Sequence, residues 1–321
     1  MTVISKNRID SIDLLKGLVM VVMALDHIRD YFHYSAYFFN PADPMQSSLS
    51  IFFTRFITNI CAPTFSFLAG ISAFIIGKRK TKKELSVFLL KRGAWLVFIE
   101  LTIVNFAWYF DVYFSSPSLL VIYCLGISMI FLALTIYIPK TYILVFSCLI
   151  IFCHNLLDNL HFKDSIFWSI LHEPSVFRFS ETFRLYTDYS IFPWIAVMAL
   201  GYYFGTFYDN TFDSIRRQKI FNLIGISALF FFFILRVTNI YGDNNPFVIL
   251  DTSQKTLMSF LQVSKYPPSL QFLLITLGVA FLFLANSENL KGKIVNFFCT
   301  FGRVPFFYYI VHLYFIHLAV M

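Results

Sequence analysis

Runs of about 20 apolar residues recur along the whole chain, with polar segments between them. The predicted membrane segments are residues 12–34, 51–77, 93–113, 117–138, 141–158, 190–208, 220–240, 267–286 and 297–320. They are longer than the strands of a membrane barrel, and they lack the alternation of apolar and polar residues that a barrel requires. The predicted fold is therefore all-α, a polytopic transmembrane bundle of about nine helices, in which every backbone group is satisfied within its own segment. Residues 1–321 are expected to form a single domain.

The composition predicts that the lipid bilayer is the first partner of the chain. Hydrophobic residues make up 58% of the sequence and charged residues 13%, whereas a soluble domain is about a quarter charged. The first apolar run contains Asp26, His27 and Asp30 where a signal-peptide cleavage site would need small residues. We therefore expect this run to remain in the protein as its first membrane helix.

The distribution of Lys and Arg predicts the orientation of the chain. The formal net charge is +7, and most of the excess lies on one side of the predicted bundle. The residues concerned are Lys6, Arg8, Lys16, Lys78, Arg79, Lys80, Lys82, Lys83, Lys91, Arg92, Lys140, Arg216, Arg217, Lys219, Lys291, Lys293 and Arg303. Positively charged loops stay in the cytoplasm, so the N-terminus is predicted to be cytoplasmic. The charge is thus a topology signal, and no nucleic-acid partner is expected.

The loops on the opposite side are mainly acidic, and three of them are long. Segments 35–50, 159–189 and 241–266 are rich in aromatic residues, Pro and Asn. We expect them to fold over the outer mouth of the bundle and to form short interfacial helices.

Four ionisable residues, Asp26, His27, Arg29 and Asp30, lie close together near the end of the first predicted helix. Charged groups at membrane depth are costly, so such a cluster predicts a functional site. His27 lies about 16 Å along the helix from Lys16 at the cytoplasmic edge, where groups from both faces of the membrane could meet. Either carboxylate could hold a neighbouring imidazole in one tautomer, so that it acts as a general base. The alternative interpretation is a structural ion network that locks the helices together.

Other ionisable residues are also predicted to be buried. Arg55, Glu100 and Arg236 are candidates for pairing with the carboxylates of the first helix or for binding an anionic ligand. On the last predicted helix, His312 and His317 are five residues apart and therefore lie on different faces, so one of them could reach the site. HxxxH and HExxH spacings are absent from the sequence, and no metal site is expected.

Seven strings of the sequence are distinctive, namely SIDLLKGLVMVVMALDHIRDYF at 11–32, CAPTFSFLAGISAF at 61–74, CHNLLD at 153–158, FPWIAVMALGYYFG at 192–205, LRVTNIYGD at 235–243, SKYPPSLQFLLITLG at 264–278 and GRVPFFYYIVHLYFIHL at 302–318. In order and over nearly the entire chain, they resemble a family of bacterial integral membrane proteins that is grouped with the catalytic domain of heparan-alpha-glucosaminide N-acetyltransferase.

The resemblance implies a transmembrane acyltransferase in the bacterial inner membrane, with cytoplasmic acetyl-CoA as its co-substrate. The wider superfamily has an Arg/Lys-x10-His motif on its first helix, and Lys16 and His27 have this spacing. By this resemblance, Lys16 would lie near the entrance for CoA and His27 would be the catalytic histidine. Arg92 and Arg303 are further candidates for binding the CoA phosphates. The expected acceptor is a cell-envelope saccharide or another small amino or hydroxy compound, and a homodimer is one assembly left open.

The resemblance also adds a second candidate histidine and leaves alternatives open. In the lysosomal branch of the family, asparagine matches His27 and the reactive histidine lies further along the chain, which makes His33 a secondary candidate beside His312. Direct transfer and an acetyl-histidine intermediate both fit this chemistry. The buried charges and broken helices also suit a proton- or solute-coupled transporter. A non-catalytic scaffold would leave the charged cluster of the first helix unexplained.

Overall fold

The computed structural model of the protein describes residues 9–33, 38–162 and 164–321. Lys6, Arg8 and residue 34, where the first predicted segment ends, lie outside this range. The helices of the described chain are α1 (Asp10–Phe32), α2 (Leu49–Thr58), α3 (Cys61–Gly77), α4 (Lys82–Ile99), α5 (Asn105–Tyr109), α6 (Val121–Thr135), α7 (Lys140–Cys153), α8 (Ile166–Leu171), α9 (Ile191–Phe204), α10 (Ser214–Thr238), α11 (Ser253–Leu261), α12 (Leu270–Asn286), α13 (Lys293–Arg303) and α14 (Pro305–Val320). A short hairpin is formed by β1 (Val176–Arg178) and β2 (Arg184–Tyr186).

The protein is mostly helical, and each predicted membrane segment contains at least one helix of the described chain. Four helical stretches are long and apolar enough to cross a membrane, namely Leu49–Gly77, Lys140–Leu157, Ile191–Tyr208 and Ser214–Thr238. The bent pair α13 and α14 would make a fifth if it forms one span. The membrane character of the fold is thereby supported, and the count of nine spans stays a prediction.

The third predicted segment begins earlier than expected, at Lys82 instead of residue 93. Thr81 and Glu84 form a capping box, in which the Thr81 hydroxyl accepts from the Glu84 N–H and the Glu84 carboxylate accepts from the Thr81 N–H. Lys91 and Arg92, assigned to the connecting loop, therefore lie on α4. Beyond α4, a π-helical turn at Glu100–Val104 leads directly into α5.

The last predicted segment is broken rather than continuous. α13 and α14 meet at an angle of 86°, and Pro305 begins α14, where its missing N–H costs no helical hydrogen bond. α13 packs closely against α1. A Cβ atom at Gly17 would lie 1.7 Å from the Phe298 carbonyl oxygen, and one at Gly302 would lie 1.8 Å from the Asp13 carbonyl oxygen. Only glycine allows the two backbones to approach this closely, and the contact fixes α14 beside α1.

Two of the three long loop segments contain a short helix, as predicted: α8 lies in 159–189 and α11 in 241–266, whereas the described part of 35–50 contains only the start of α2. Segment 159–189 also contains an antiparallel hairpin that was not predicted. Arg236 connects one of these segments to the bundle. Its buried guanidinium donates to the carbonyl oxygens of Phe260 at 2.8 Å, Asn245 at 2.6 Å and Ser259 at 2.5 Å, and also to that of Gln262. Three of these acceptors, Ser259, Phe260 and Gln262, lie at the C-terminal end of α11, where Arg236 satisfies carbonyl groups that the helix end leaves open. The expectation that Arg236 pairs with carboxylates of the first helix was wrong.

Candidate active site

Two histidines from opposite ends of the chain meet inside the bundle. Nδ1 of His27 on α1 lies 2.6 Å from Nε2 of His312 on α14, and the residues are 7% and 8% exposed. The ring planes differ by only 8°, and the ring centroids are 4.8 Å apart. The N···N distance is much shorter than the distance between the centroids, so the facing nitrogens lie between the two ring centres. The rings are therefore nearly coplanar, lie edge to edge and share a hydrogen bond. This contact decides which nitrogen of His27 is available for chemistry.

The tautomers of His27 and His312 follow from a hydrogen bond between His312 and the backbone carbonyl of Tyr308. Nδ1 of His312 lies 2.7 Å from the carbonyl oxygen of Tyr308, which can only accept, so this nitrogen carries a hydrogen. In the neutral ring, Nε2 of His312 is then an acceptor, and Nδ1 of His27 must donate to it. Nε2 of His27 keeps its lone pair. The arrangement is that of a general base whose tautomer is set by a second group.

The carboxylate of Asp26 forms an ion network rather than a bond to the imidazole. It accepts from Arg29, from Nη1 of Arg55 at 2.9 and 3.1 Å, and from the Thr58 hydroxyl at 2.8 Å. Arg29 also donates to Asp30 at 2.8 Å. Among the described residues, neither carboxylate bonds to the ring of His27, so the expectation that one of them orients it was wrong. The network joins α1 to α2, as the structural interpretation of the cluster predicts.

His27 faces a cavity of about 220 Å³ that lies towards the acidic outer loops. Its walls combine charged groups with aromatic rings. The lining residues are Asp26, His27, Asp30, Arg55, Trp108, Tyr109, Leu120, Val121, Asp188, Tyr189, Lys265, Tyr266 and Tyr309. We call this space the outer cavity. A pocket with hydrogen-bonding groups and ring faces is suited to a small polar molecule.

A second cavity, of about 300 Å³, leads from the basic side of the bundle towards the same place. We call it the inner cavity. Its walls are largely apolar, with Met20, Phe65 and Leu89 among them, and Lys16 and Arg92 also line it. Nζ of Lys16 donates to the Ser72 hydroxyl at 2.7 Å. This arrangement would suit an apolar chain that carries an anionic group at the end near Lys16 and Arg92.

The inner and outer cavities adjoin each other beside the histidine pair. Val121 and Tyr309 line both of them, and the Tyr309 ring contacts both imidazoles, with centroids 6.0 Å from that of His27 and 5.8 Å from that of His312. His27 lies about 16 Å along α1 from Lys16. Molecules in the two cavities would therefore approach each other across the wall formed by Val121 and Tyr309, next to His27.

Most of the chain matches one known protein family. Residues 8–237 match the profile of the family described as heparan-alpha-glucosaminide N-acetyltransferase, catalytic, and this is more than half of the chain. The chain belongs to this family. Membership makes the protein a membrane transferase and gives no support to the transporter alternative. No curated protein matches the sequence significantly.

The family match is shorter than the resemblance suggested. It includes Lys16, His27 and Arg92 but ends at residue 237. The strings at 264–278 and 302–318 lie beyond it, and with them Lys265 and His312. Lys265 lines the outer cavity and His312 contacts His27, so part of the site comes from outside the matched range.

Three further predicted site residues lie away from the histidine pair. Glu100 is fully buried, and its carboxylate accepts from the Tyr123 N–H at 2.9 Å in the first turn of α6, so it caps a helix rather than pairing with a cation. His33 lies one residue beyond α1, about 9 Å further along the axis than His27, and does not line the outer cavity. Arg303 lies outside the lining of the inner cavity, with its Nε 3.9 Å from Asp13.

The sequence-based prediction missed several groups around the outer cavity. Lys265, Tyr266 and Asp188 come from loops, where no hydrophobic period indicates which side chains face inward. Thr58 does not line the cavity but donates to Asp26, and it was missed because it is an uncharged residue at the end of its helix. For Lys265 the sequence did contain one signal, since it lies in a string that resembles the family. In the described chain, no group of three or more His, Cys, Asp or Glu could hold a metal ion.

Proposed function

We propose that the protein transfers an acetyl group from cytoplasmic acetyl-CoA to an amino or hydroxyl group of a saccharide-type acceptor on the outer side of the membrane. The observation that carries the proposal is His27, whose ring has one nitrogen fixed by His312 and the other available at the point where the two cavities adjoin. Family membership supports the transferase, and the two cavities support separate routes for donor and acceptor.

The inner cavity fits the donor. The pantetheine arm of acetyl-CoA is long and slender, and the apolar walls around Met20 and Phe65 match such a chain. Lys16 and Arg92 would bind the phosphates at the cytoplasmic end, with Arg303 nearby at the end of α13. In this pose the thioester would lie near Tyr309, next to the histidine pair.

The chemistry follows from the position of His27. Its ring lines the outer cavity and not the inner one, which favours a base acting on the acceptor over a nucleophile that takes the acetyl group itself. Nε2 removes the proton from the acceptor's amine or hydroxyl while a lone pair of the acceptor's nitrogen or oxygen attacks the thioester carbonyl carbon. The C–S bond then breaks, and the thiolate takes the proton from the imidazolium to leave as CoA.

We further propose nine membrane spans, a cytoplasmic N-terminus and a location in the bacterial inner membrane. Four helical stretches could cross the membrane by length and composition. Two further helical stretches support additional spans, since α1 has 23 residues and α4 continues through the π turn into α5. Lys16 and Arg92 share the inner cavity, in keeping with a cytoplasmic face at that end.

Filling the inner cavity is expected to weaken donor binding. Ala69 lines this cavity, and Ala69→Phe would place a ring where the acetyl-CoA arm is proposed to lie. We expect the KM for acetyl-CoA to rise about 10-fold or more, because the ring would displace the arm from the cavity wall, and a loss of about 1.4 kcal/mol of binding free energy corresponds to a factor of ten. CoA release by purified protein, with glucosamine as acceptor, measures this.

The matched control is Ala94→Phe, since Ala94 is exposed on α4 and lines neither cavity. It should leave the KM unchanged. An equal KM in both variants would contradict the assignment of the inner cavity to the donor. An absence of CoA release by the wild-type protein, together with solute flux in liposomes, would contradict the transferase.

A further inference from the structure

Lys265 is a largely buried cation for which no hydrogen bond to a described residue is found. Its side chain is 10% exposed and lines the outer cavity. Within the described chain its one ion pair is with Asp26, at 3.9 Å, which is too long for a hydrogen bond. The ammonium also lies 5.2 Å from the centroid of the Tyr266 ring. A buried ammonium has three N–H groups to satisfy, and leaving them open is costly.

Asp26 cannot be regarded as the full partner of Lys265. One of its oxygens already accepts from Arg29, Arg55 and Thr58, and the other accepts from Arg55. Arg55 contributes only its Nη1 group to this contact. Among the described residues, no hydrogen bond from the remaining N–H groups of its guanidinium occurs, and Arg55 lines the outer cavity as well. Two cations therefore have open donors at the same cavity wall.

The ion network at this wall contains one more cation than carboxylates. Arg29, Arg55 and Lys265 contribute three positive charges, and Asp26 and Asp30 contribute two negative ones. Asp188 lines the same cavity, but it lies more than 4 Å from every cation of the described chain. Its carboxylate interacts with the Ser118 side chain and takes no part in the ion network.

We infer that the acceptor carries an anionic group, a carboxylate or a phosphate, which Lys265 and Arg55 bind while the amine or hydroxyl of the same molecule faces His27. That the bound molecule is the acetyl acceptor rests on the proposed function, but the anion site itself does not require catalysis. Charge-assisted hydrogen bonds to such a group would satisfy the open donors of both cations. The aromatic walls formed by Tyr109, Tyr189 and Tyr266 would enclose the remainder of the molecule.

Binding of paired probes to the purified full-length protein, without acetyl-CoA, tests the inference. The probes are glucosamine, glucosamine 6-phosphate and 2-amino-2-deoxyglucuronate, which share one ring and differ in the anionic group. We expect at least one anionic probe to have a Kd about 10-fold below that of glucosamine. The probe with the lower Kd identifies the anion as phosphate or carboxylate.

The variant Lys265→Met should abolish the preference for the anionic probe, and Lys265→Arg should keep most of it. Lys255→Met is the matched control, because Lys255 lies on α11 and pairs with the exposed Asp251. Equal affinity for all probes in the wild-type protein, no binding of either anionic probe, or an equal loss of all probes in Lys265→Met would overturn the inference. The wild-type comparison does not depend on the folding of any variant.

A second measurement, acetyl transfer to the same probes after acetyl-CoA is added, separates this inference from the proposed function. Preferential binding of an anionic probe without any acetyl transfer would contradict the transferase and retain the anion site. Acetyl transfer to glucosamine without any preference for the anionic probes would retain the transferase and contradict the anion site.

Discussion

Replacing His27 with glutamine is expected to lower kcat for acetyl transfer by about 10³-fold, within the range that a positioned general base supplies. Glutamine can still donate a hydrogen bond towards His312, but it has no basic nitrogen to accept the proton of the acceptor. The KM for acetyl-CoA should change little, because His27 does not line the inner cavity. CoA release and acetylated acceptor, measured over a range of both substrates, check this.

The matched control is His317→Gln on the same last helix as His312. His317 lies against the Phe110 ring and its Nδ1 is 2.7 Å from the Ala107 carbonyl oxygen, away from both cavities. This variant should retain most of the activity. A His27→Gln variant with wild-type kcat would contradict the assigned role, whereas equal losses in both variants would indicate a general effect of changing a buried histidine.

Replacing His312 with alanine is expected to lower kcat by about 10²-fold although His312 itself does not line either cavity. Without the acceptor at Nε2, the ring of His27 loses the partner that fixes its tautomer and orientation. His312→Gln offers an amide oxygen in a similar place and should restore part of the rate. Such rescue identifies His312 as a positioning residue.

The measurement is kcat and KM for each variant, with Tm as the control for folding. Loss of kcat with an unchanged KM and Tm is expected for His312→Ala, because orientation of the base matters in the transition state. Equal activity of the alanine and glutamine variants, or a loss that follows Tm in both, would contradict the positioning role.

The helices and the burial of His27 within the bundle could be predicted from sequence for physical reasons that are local. Apolar runs of membrane length are read directly from composition, and an imidazole within one stands out because ionisable groups are costly there. The early start of α4 was also readable, since Thr81 and Glu84 have the spacing of a capping box. It was missed because the basic residues after it were interpreted as a loop.

Arg55 pairs with Asp26, as predicted for the carboxylates of the first helix, but the contact between His27 and His312 could not be assigned in the same way. Sequence spacing shows neighbours one helical turn apart, which is why Asp30 was considered for the imidazole, yet the partner is His312, 285 residues away. That contact depends on how α14 is held beside α1, through backbone approaches at Gly17 and Gly302 that no periodicity reveals.

The central claim is that His27 is reached from two compartments, and transfer across a sealed membrane tests it most directly. Oriented proteoliposomes would receive acetyl-CoA only on the face bearing Lys16 and Arg92, with the amino-sugar acceptor only on the opposite face. We predict that acetylated acceptor accumulates on its own side while CoA appears on the other. Acetylation that requires both substrates on one side of the membrane would contradict the account.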